Sequence, residues 1–174
     1  MRRHGIQPLS LAAMLDVGVP DGVVLGVAYR PALWTRLQAG AGTNSISPGM
    51  RVGAALIPFS EGPSLTVEGG YYFEGDASAI VSQVAGHSHT RTAQQVGYQF
   101  VNLHVGLDFG SRYSTFFLHG GMTYLHTTLH YPNDALGGQS VSSSGDVTTY
   151  TFSQDVNVDV WFPSFKLGFL IYLV

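Results

Sequence analysis

Between Phe100 and Leu129 the chain alternates apolar and polar residues with a period of two, interrupted once by Ser111-Arg112-Tyr113. Val101, Leu103, Val105, Leu107 and Phe109 form one row, set against Asn102, His104, Gly106, Asp108 and Gly110. After the interruption Phe116, Leu118, Gly120, Met122 and Tyr124 oppose Phe117, His119, Gly121 and Thr123. Successive side chains of an extended strand point to opposite faces, so the stretch reads as a hairpin with one apolar face. Each arm is about 10 residues long, enough for a tilted strand to cross a bilayer.

The same unit recurs along the chain. Leu9 to Val19 alternates before the turn signal Pro20-Asp21-Gly22, and Val23 to Arg30 follows. Pro31-Ala32 breaks it, Leu33 to Gly42 resumes it, and Thr43 to Gly49 is a polar loop. Met50 to Ile57, the turn Ser60-Glu61-Gly62-Pro63, and Leu65 to Glu74 come next. With the hairpin and a final run from Trp161 to Leu173, the count is eight strands, and no segment carries a helical period. The expected fold class is all-β: an eight-stranded antiparallel up-and-down transmembrane β-barrel, one domain over residues 1–174. In the segment from His130 to Asp159, Val147 to Val158 has strand character, which either extends the flanking strands beyond the membrane or, projecting as a hairpin edge, would augment a partner's sheet.

Loop lengths give the sidedness. Pro31-Ala32, the Ser60–Pro63 turn and Ser111–Tyr113 are short, whereas 75–97 and 130–159 are long, and short alternates with long. An even number of strands then puts both termini on the short-turn side.

Composition argues for which face meets what. Charged residues are 11% of the chain, against about 25% in ordinary soluble domains. Lys166 is the only lysine, too little charge to coat a soluble barrel. The polar row is rich in glycine (Gly26, Gly40, Gly42, Gly53, Gly70, Gly106 and Gly110), which suits a crowded lumen better than a solvated exterior. Aromatics gather at strand ends. Tyr29, Trp34, Phe59, Phe109, Tyr113, Phe116 and Tyr172 mark one end, and Tyr71, Phe73, Tyr98, Phe100, Tyr124, Tyr131 and Trp161 the other. Two girdles are what the two interfaces of a membrane select. No basic patch supports nucleic-acid binding at a net charge of -3, and the absence of cysteine removes disulfides and thiolate chemistry. Arg2 and Arg3 precede a short apolar run interrupted by Pro8, so a signal peptide is expected to be missing or trimmed in this sequence.

The pattern resembles the small eight-stranded outer-membrane barrels, the class containing the OmpA transmembrane domain and OmpX, over essentially the whole chain. That resemblance implies a Gram-negative outer membrane with both termini periplasmic. It also implies lipid and lipopolysaccharide as surroundings, and insertion by the barrel-assembly machinery. The end of the chain resembles the family's assembly signal at Gly168, Phe169, Ile171 and Leu173, although Val174 stands where the signal usually closes on an aromatic.

An inward polar row collects Asp16, Arg30, Arg36, Arg51, Glu68, Glu74, Asp108 and Lys166, four acids and four bases. Charges in a low-dielectric lumen are costly unless paired. Eight strands leave an interior just wide enough for side chains. A salt-bridged plug is therefore expected, with a narrow pore for ions or small solutes as the alternative, and a soluble lipocalin-like barrel binding a hydrophobic ligand as the alternative fold. His87, His89, His126 and His130 are the candidate metal ligands, from an i, i+2 pair in one loop and two residues where the seventh strand ends. Solvated loop histidines are the simpler reading, so no metal and no cofactor is expected. Some small outer-membrane barrels, the lipid A deacylases, use a His, a Ser and an acid near the outer leaflet. Here Ser88 lies beside His87 and His89 in a loop, with no His-x-Ser on an outward strand face, so no enzyme activity is expected. Loops 75–97 and 130–159 are the expected contact surface for an extracellular partner.

Overall fold

Along most of the alternating runs the backbone is extended and paired with a neighbour; the exception is the expected break at Pro31-Ala32, which stays in a strand, so that the turn falls instead on Leu33-Trp34. The computed structural model of the chain describes residues 10–44, 46–59, 61–76, 95–111, 113–130, 138–141, 147–150 and 155–173. The strands are β1 (Ser10–Val19), β2 (Gly22–Ala32), β3 (Thr35–Thr43), β4 (Pro48–Leu56) and β5 (Gly62–Asp76), followed by β6 (Gln95–Gly110), β7 (Ser114–His130), β8 (Gly138–Val141), β9 (Val147–Tyr150) and β10 (Asp155–Leu173). Eight of them close a barrel in the order β1-β10-β7-β6-β5-β4-β3-β2, every neighbouring pair antiparallel. Closure removes the edges that an open sheet would expose.

The strand-like run Val147–Val158 does not stay whole. Val147–Tyr150 pairs with Gly138–Val141 as a separate two-stranded sheet, and the stretch from Asp155 belongs to the barrel as the start of β10. β6 and β10 also begin earlier than their apolar rows, because the ladders with β7 continue up to Gln95↔His130 and Asp155↔His130.

Parity decides facing throughout the barrel body. Leu15, Leu25, Val52, Val105 and Ile171 are more than half exposed on the outside, whereas Asp16, Arg36, Arg51, Glu68, Asp108 and Lys166 are buried on the inside. On β1 the outward apolar row runs from Leu11 to Val19. Nine residues rising about 3.3 Å each at a tilt of about 40° give a belt about 23 Å high.

The inner row is glycine-rich because large side chains lie across it. A Cβ on Gly106 would strike the His119 ring, one on Gly70 the Phe100 ring, and one on Gly168 both the Phe117 ring and Asp16. Phe117, with Ala12, Met14, Ala28, Leu170 and Tyr172, fills the end of the lumen nearest the termini. Tyr72, Tyr98 and Phe100 fill the other end, with ring centroids 5.0 Å apart for Tyr72–Tyr98 and 5.8 Å for Tyr72–Phe100. Tyr98, Phe100 and Tyr172 thus leave the aromatic girdles expected from sequence. Each stands on an even-numbered, inward position of β6 or β10.

The wall is not of even height. The β1–β10 ladder stops at Val19↔Phe165, while the β10–β7 ladder continues to Asp155↔His130. Likewise β4 leaves β5 at Gly49↔Tyr72, while β5 and β6 remain paired past a register shift to Asp76↔Gln95. β5, β6, β7 and β10 therefore rise above the mouth as a curved half-sheet. On β6, β7 and β10 the polarity there largely reverses: Leu125, Val158, Val160 and Phe162 take the inner row beside Thr127, and Gln99, His126, Thr128, Asn157 and Asp159 the outer one, whereas Phe73 of β5 stays exposed.

Candidate functional site

Most of the lumen's polar layer is one connected network. Arg51 on β4 reaches three carboxylates. It bonds Asp16 of β1 directly, donates Nη1 to Asp21 Oδ2 at 2.8 Å, and places Nε 3.6 Å from Glu68 Oε1. Lys166 of β10 bonds Glu68 and stands 3.7 Å from Asp21 Oδ2. Asn102 donates to Asp21 Oδ2 at 3.1 Å and accepts from Thr123 Oγ1 at 2.6 Å. Each cation thus meets acids from several strands, which ties the wall together across its diameter.

A second cluster lies nearer the termini. Arg36 donates Nη1 to Asp108 Oδ2 at 2.6 Å, and its guanidinium sits 5.3 Å from the centre of the Phe117 ring. Asp108 Oδ1 accepts from Ser64 Oγ at 2.6 Å and lies 2.9 Å from His119 Nε2. Gln38 joins the two clusters: Arg36 Nε donates to its carbonyl at 3.1 Å, and its amide donates to Glu68. Farther up β6, His104 Nε2 is 2.7 Å from Ser164 Oγ of β10.

Of the eight charged residues assigned to the lumen, seven are buried there: Asp16, Arg30, Arg36, Arg51, Glu68, Asp108 and Lys166. Arg30 sits apart from Arg51 and Lys166, against Tyr172. Glu74 is exposed instead. It follows the register shift between Tyr72 and Gly75, where β5 has risen past the mouth and the inward row no longer faces a closed lumen. Its place in the charge balance is taken by Asp21, which is only 1% exposed, so the described lumen still holds four acids and four bases.

Asp21 comes from the Pro20-Asp21-Gly22 turn, which folds over the mouth rather than away from it. Gly22 has φ 68°, and a Cβ there would meet the backbone of Thr43 and Asn44, so the turn packs directly on the β3–β4 connection. Tyr72 donates its hydroxyl to Asp21 O, Tyr98 donates to Pro20 O at 3.3 Å, and Asn44 Nδ2 donates to the Tyr98 hydroxyl at 2.5 Å. A turn aspartate carries no periodicity, so nothing in the sequence marks it as lumenal.

The buried Ser64, His119 and Asp108 are a serine, a histidine and an acid in mutual contact, but not a charge-relay arrangement. In a relay the acid holds Nδ1 and the nucleophile faces Nε2. Here Asp108 and Ser64 both approach Nε2, at 2.9 and 3.1 Å, while Nδ1 has no described partner. The group reads as part of the ion-pair packing.

Of the four candidate histidines, two can be placed on the fold. His87 and His89 lie outside the described residues, as does Ser88. His126 Nδ1 is 2.8 Å from Asp159 Oδ1 on the outer face of the half-sheet, and the backbone of His130 pairs with Asp155. No cluster of three metal-binding side chains occurs among the described residues. The Tyr124 hydroxyl also donates to Asp159 Oδ1, at 2.5 Å. That bond, followed by the one from His126, holds the exposed Asp159 carboxyl below the usual carboxylate range. Thr128, next along the same outer row of β7, donates instead to Asn157 Oδ1 at 2.8 Å.

At the C-terminal end Phe169, Ile171 and Leu173 are exposed on the outer face of β10, opposite Leu15, Ala13 and Leu11 of β1, and Gly168 is buried against Phe117. No protein-family model, no curated protein and no solved structure matches the chain.

Proposed function

We propose that the chain is an integral outer-membrane β-barrel of Gram-negative type, with a lumen closed by paired charges and a structural or surface-interaction role. One observation carries this reading: the barrel body is polar inside and apolar outside, the reverse of a soluble ligand-binding barrel. A belt about 23 Å high is close to the apolar band of about 25 Å that bacterial outer-membrane barrels present to lipid. Trp34, Phe59 and Tyr113 are exposed below that belt, and Tyr71, Tyr124 and Trp161 stand at its upper limit, a distribution that favours two interfaces. On this reading both termini and the short turns are periplasmic, and lipopolysaccharide surrounds the upper wall. The outward apolar row at Phe169, Ile171 and Leu173 is what the assembly machinery would receive.

The interaction role rests on β10. From Asp155 to Ser164 it has β7 on one side and no ladder partner on the β1 side among the described residues. An unpaired strand edge is a surface onto which a partner adds a strand, so an extended polypeptide segment is the expected extracellular ligand.

Two measurements test the reading. Membrane fractions should contain a species whose gel mobility changes on heating, and the purified chain should float with liposomes. Recovery of the chain in the soluble fraction would return the lipocalin-like alternative. In planar bilayers the closed lumen predicts no steady conductance; regular single-channel steps would favour the narrow pore.

A further inference from the structure

The outer face of the half-sheet carries a row of side chains that neither the lumen network nor the β10 edge uses. Tyr71, Gln99, His126 and Asp159 are direct ladder partners on β5, β6, β7 and β10. Neighbouring strands stand about 4.8 Å apart, so four in register make a row about 14 Å long. One step below it Tyr124 and Trp161 pack with ring centroids 5.2 Å apart, and Trp161 is 64% exposed. A pocket of about 190 Å³ opens over the row, lined by Tyr71, Glu74, Gly97, Gln99, His126 and Thr128. Gly97 keeps it open, because a Cβ there would come within 3.1 Å of the Glu74 side chain.

The chemistry of this row is selective in kind. Amide, imidazole and hydroxyl groups donate to and accept from neighbouring hydroxyls, the carboxylate accepts from them, and an exposed indole offers a flat surface to the C–H face of a sugar ring. Tyr124 and His126 both use Asp159 Oδ1, leaving Oδ2 and His126 Nε2 without a described partner. The described cationic side chains, Arg30, Arg36, Arg51 and Lys166, are all buried in the lumen. The row therefore presents no described Arg or Lys to a phosphate, and Asp159 repels one. Below the row, Val101, Leu103 and Met122 continue the apolar belt.

We infer that the Tyr71–Gln99–His126–Asp159 row binds a neutral, hydroxyl-rich glycosyl group, carried by a membrane glycolipid whose acyl chains lie against the apolar belt. The glycolipid as source rests on the outer-membrane reading above; the sugar chemistry does not.

The test uses the full chain with Trp34→Phe, so that Trp161 is the only tryptophan reporting. It is placed in nanodiscs of phosphatidylcholine containing either a monoglucosyl diacylglycerol or phosphatidylglycerol, and co-retained lipid is measured by mass spectrometry alongside Trp161 emission. A third arm titrates methyl glucoside into the chain in detergent micelles. The glucosyl lipid should be enriched about ten-fold over phosphatidylglycerol, with a shift in Trp161 emission, and Gln99→Ala/Asp159→Ala should remove that enrichment. Both substitutions lie on an exposed face, so heat-modifiable migration should persist and separate loss of binding from loss of fold. Equal retention of the two lipids or enrichment of phosphatidylglycerol, with no Trp161 response to methyl glucoside, overturns the site, as does enrichment that survives the double substitution. Binding of methyl glucoside without glycolipid enrichment overturns the lipid source. Failure of the chain to enter nanodiscs strikes the membrane reading alone, and the micelle arm then decides the site: no Trp161 response to methyl glucoside overturns it.

Discussion

Below Trp161 the wall of this barrel is apolar outside and polar inside; above it, the outer face of β6, β7 and β10 turns polar at Gln99, His126, Thr128, Asn157 and Asp159, while Phe73 of β5 stays exposed. The same strands run through both regions, without a break in the ladders joining β6, β7 and β10. The difference lies in what each face meets. In the body the inner face encloses a space too narrow for bulk water, so charge is tolerated there only because it is paired. In the extension the inner face lines an open mouth on one side, and the outer face carries Gln99, His126 and Asp159. A strand can therefore change its inside-out character part-way along, and the level at which it does so marks a change of surroundings.

The largest expected effect comes from breaking the inner polar layer. Arg51→Ala leaves Asp16, Asp21 and Glu68 facing one another with only Lys166 to offset them. Removing one partner of a buried ion pair costs about 3–5 kcal/mol. Urea unfolding in micelles should show a loss of that size, and an unchanged midpoint would dismiss the paired-charge plug.

A charge on each outer face is the next test. Val105 is 63% exposed in the middle of the belt, and Val105→Arg should cost about 2–4 kcal/mol in a bilayer. Thr128→Arg, on the outer face of the extension, should stay within about 0.5 kcal/mol. Equal, small effects of both in vesicle unfolding would argue that the belt never meets lipid.

Adjacent glycines sharpen the comparison further. A Cβ at Gly121 would meet the His104 ring and the Leu103 carbonyl, whereas at Gly120 the nearest atom is the Ser164 carbonyl oxygen at 3.9 Å. Gly121→Ala should lower stability by about 1–3 kcal/mol through overpacking, and Gly120→Ala should leave thermal unfolding nearly unchanged. The smallest effect is expected of Tyr124→Phe, which removes an exposed hydrogen bond to Asp159. Its unfolding midpoint should not move measurably. Titration of Asp159 by NMR should show its carboxyl rising toward the ordinary range once the first of its two bonds is gone.

Much of the barrel was legible in the sequence because a period of two is a local property. Val101 to Phe109 and Phe116 to Tyr124 announce their own faces, and the register within a hairpin follows from its turn. Seven of the eight lumen charges were found by parity alone. Position along the strand misled at Tyr98, Phe100 and Tyr172, aromatics near the ends of the apolar rows that matched a girdle yet stand on inward positions. Position along the strand says how deep a residue lies; only its row says which side it serves.

What the sequence by itself determined was the all-β class, the strand number of the barrel, the inward row and the near-balance of charge within it. The tertiary structure decided the rest. It brought Asp21 from a turn into the network, released Glu74 past a register shift, and divided Val147–Val158 between two sheets. It also aligned Tyr71, Gln99, His126 and Asp159, which come from four separate strands, at one height. The reason is common to all four: each depends on where ladders stop and shift between strands distant in sequence, and no local pattern encodes that.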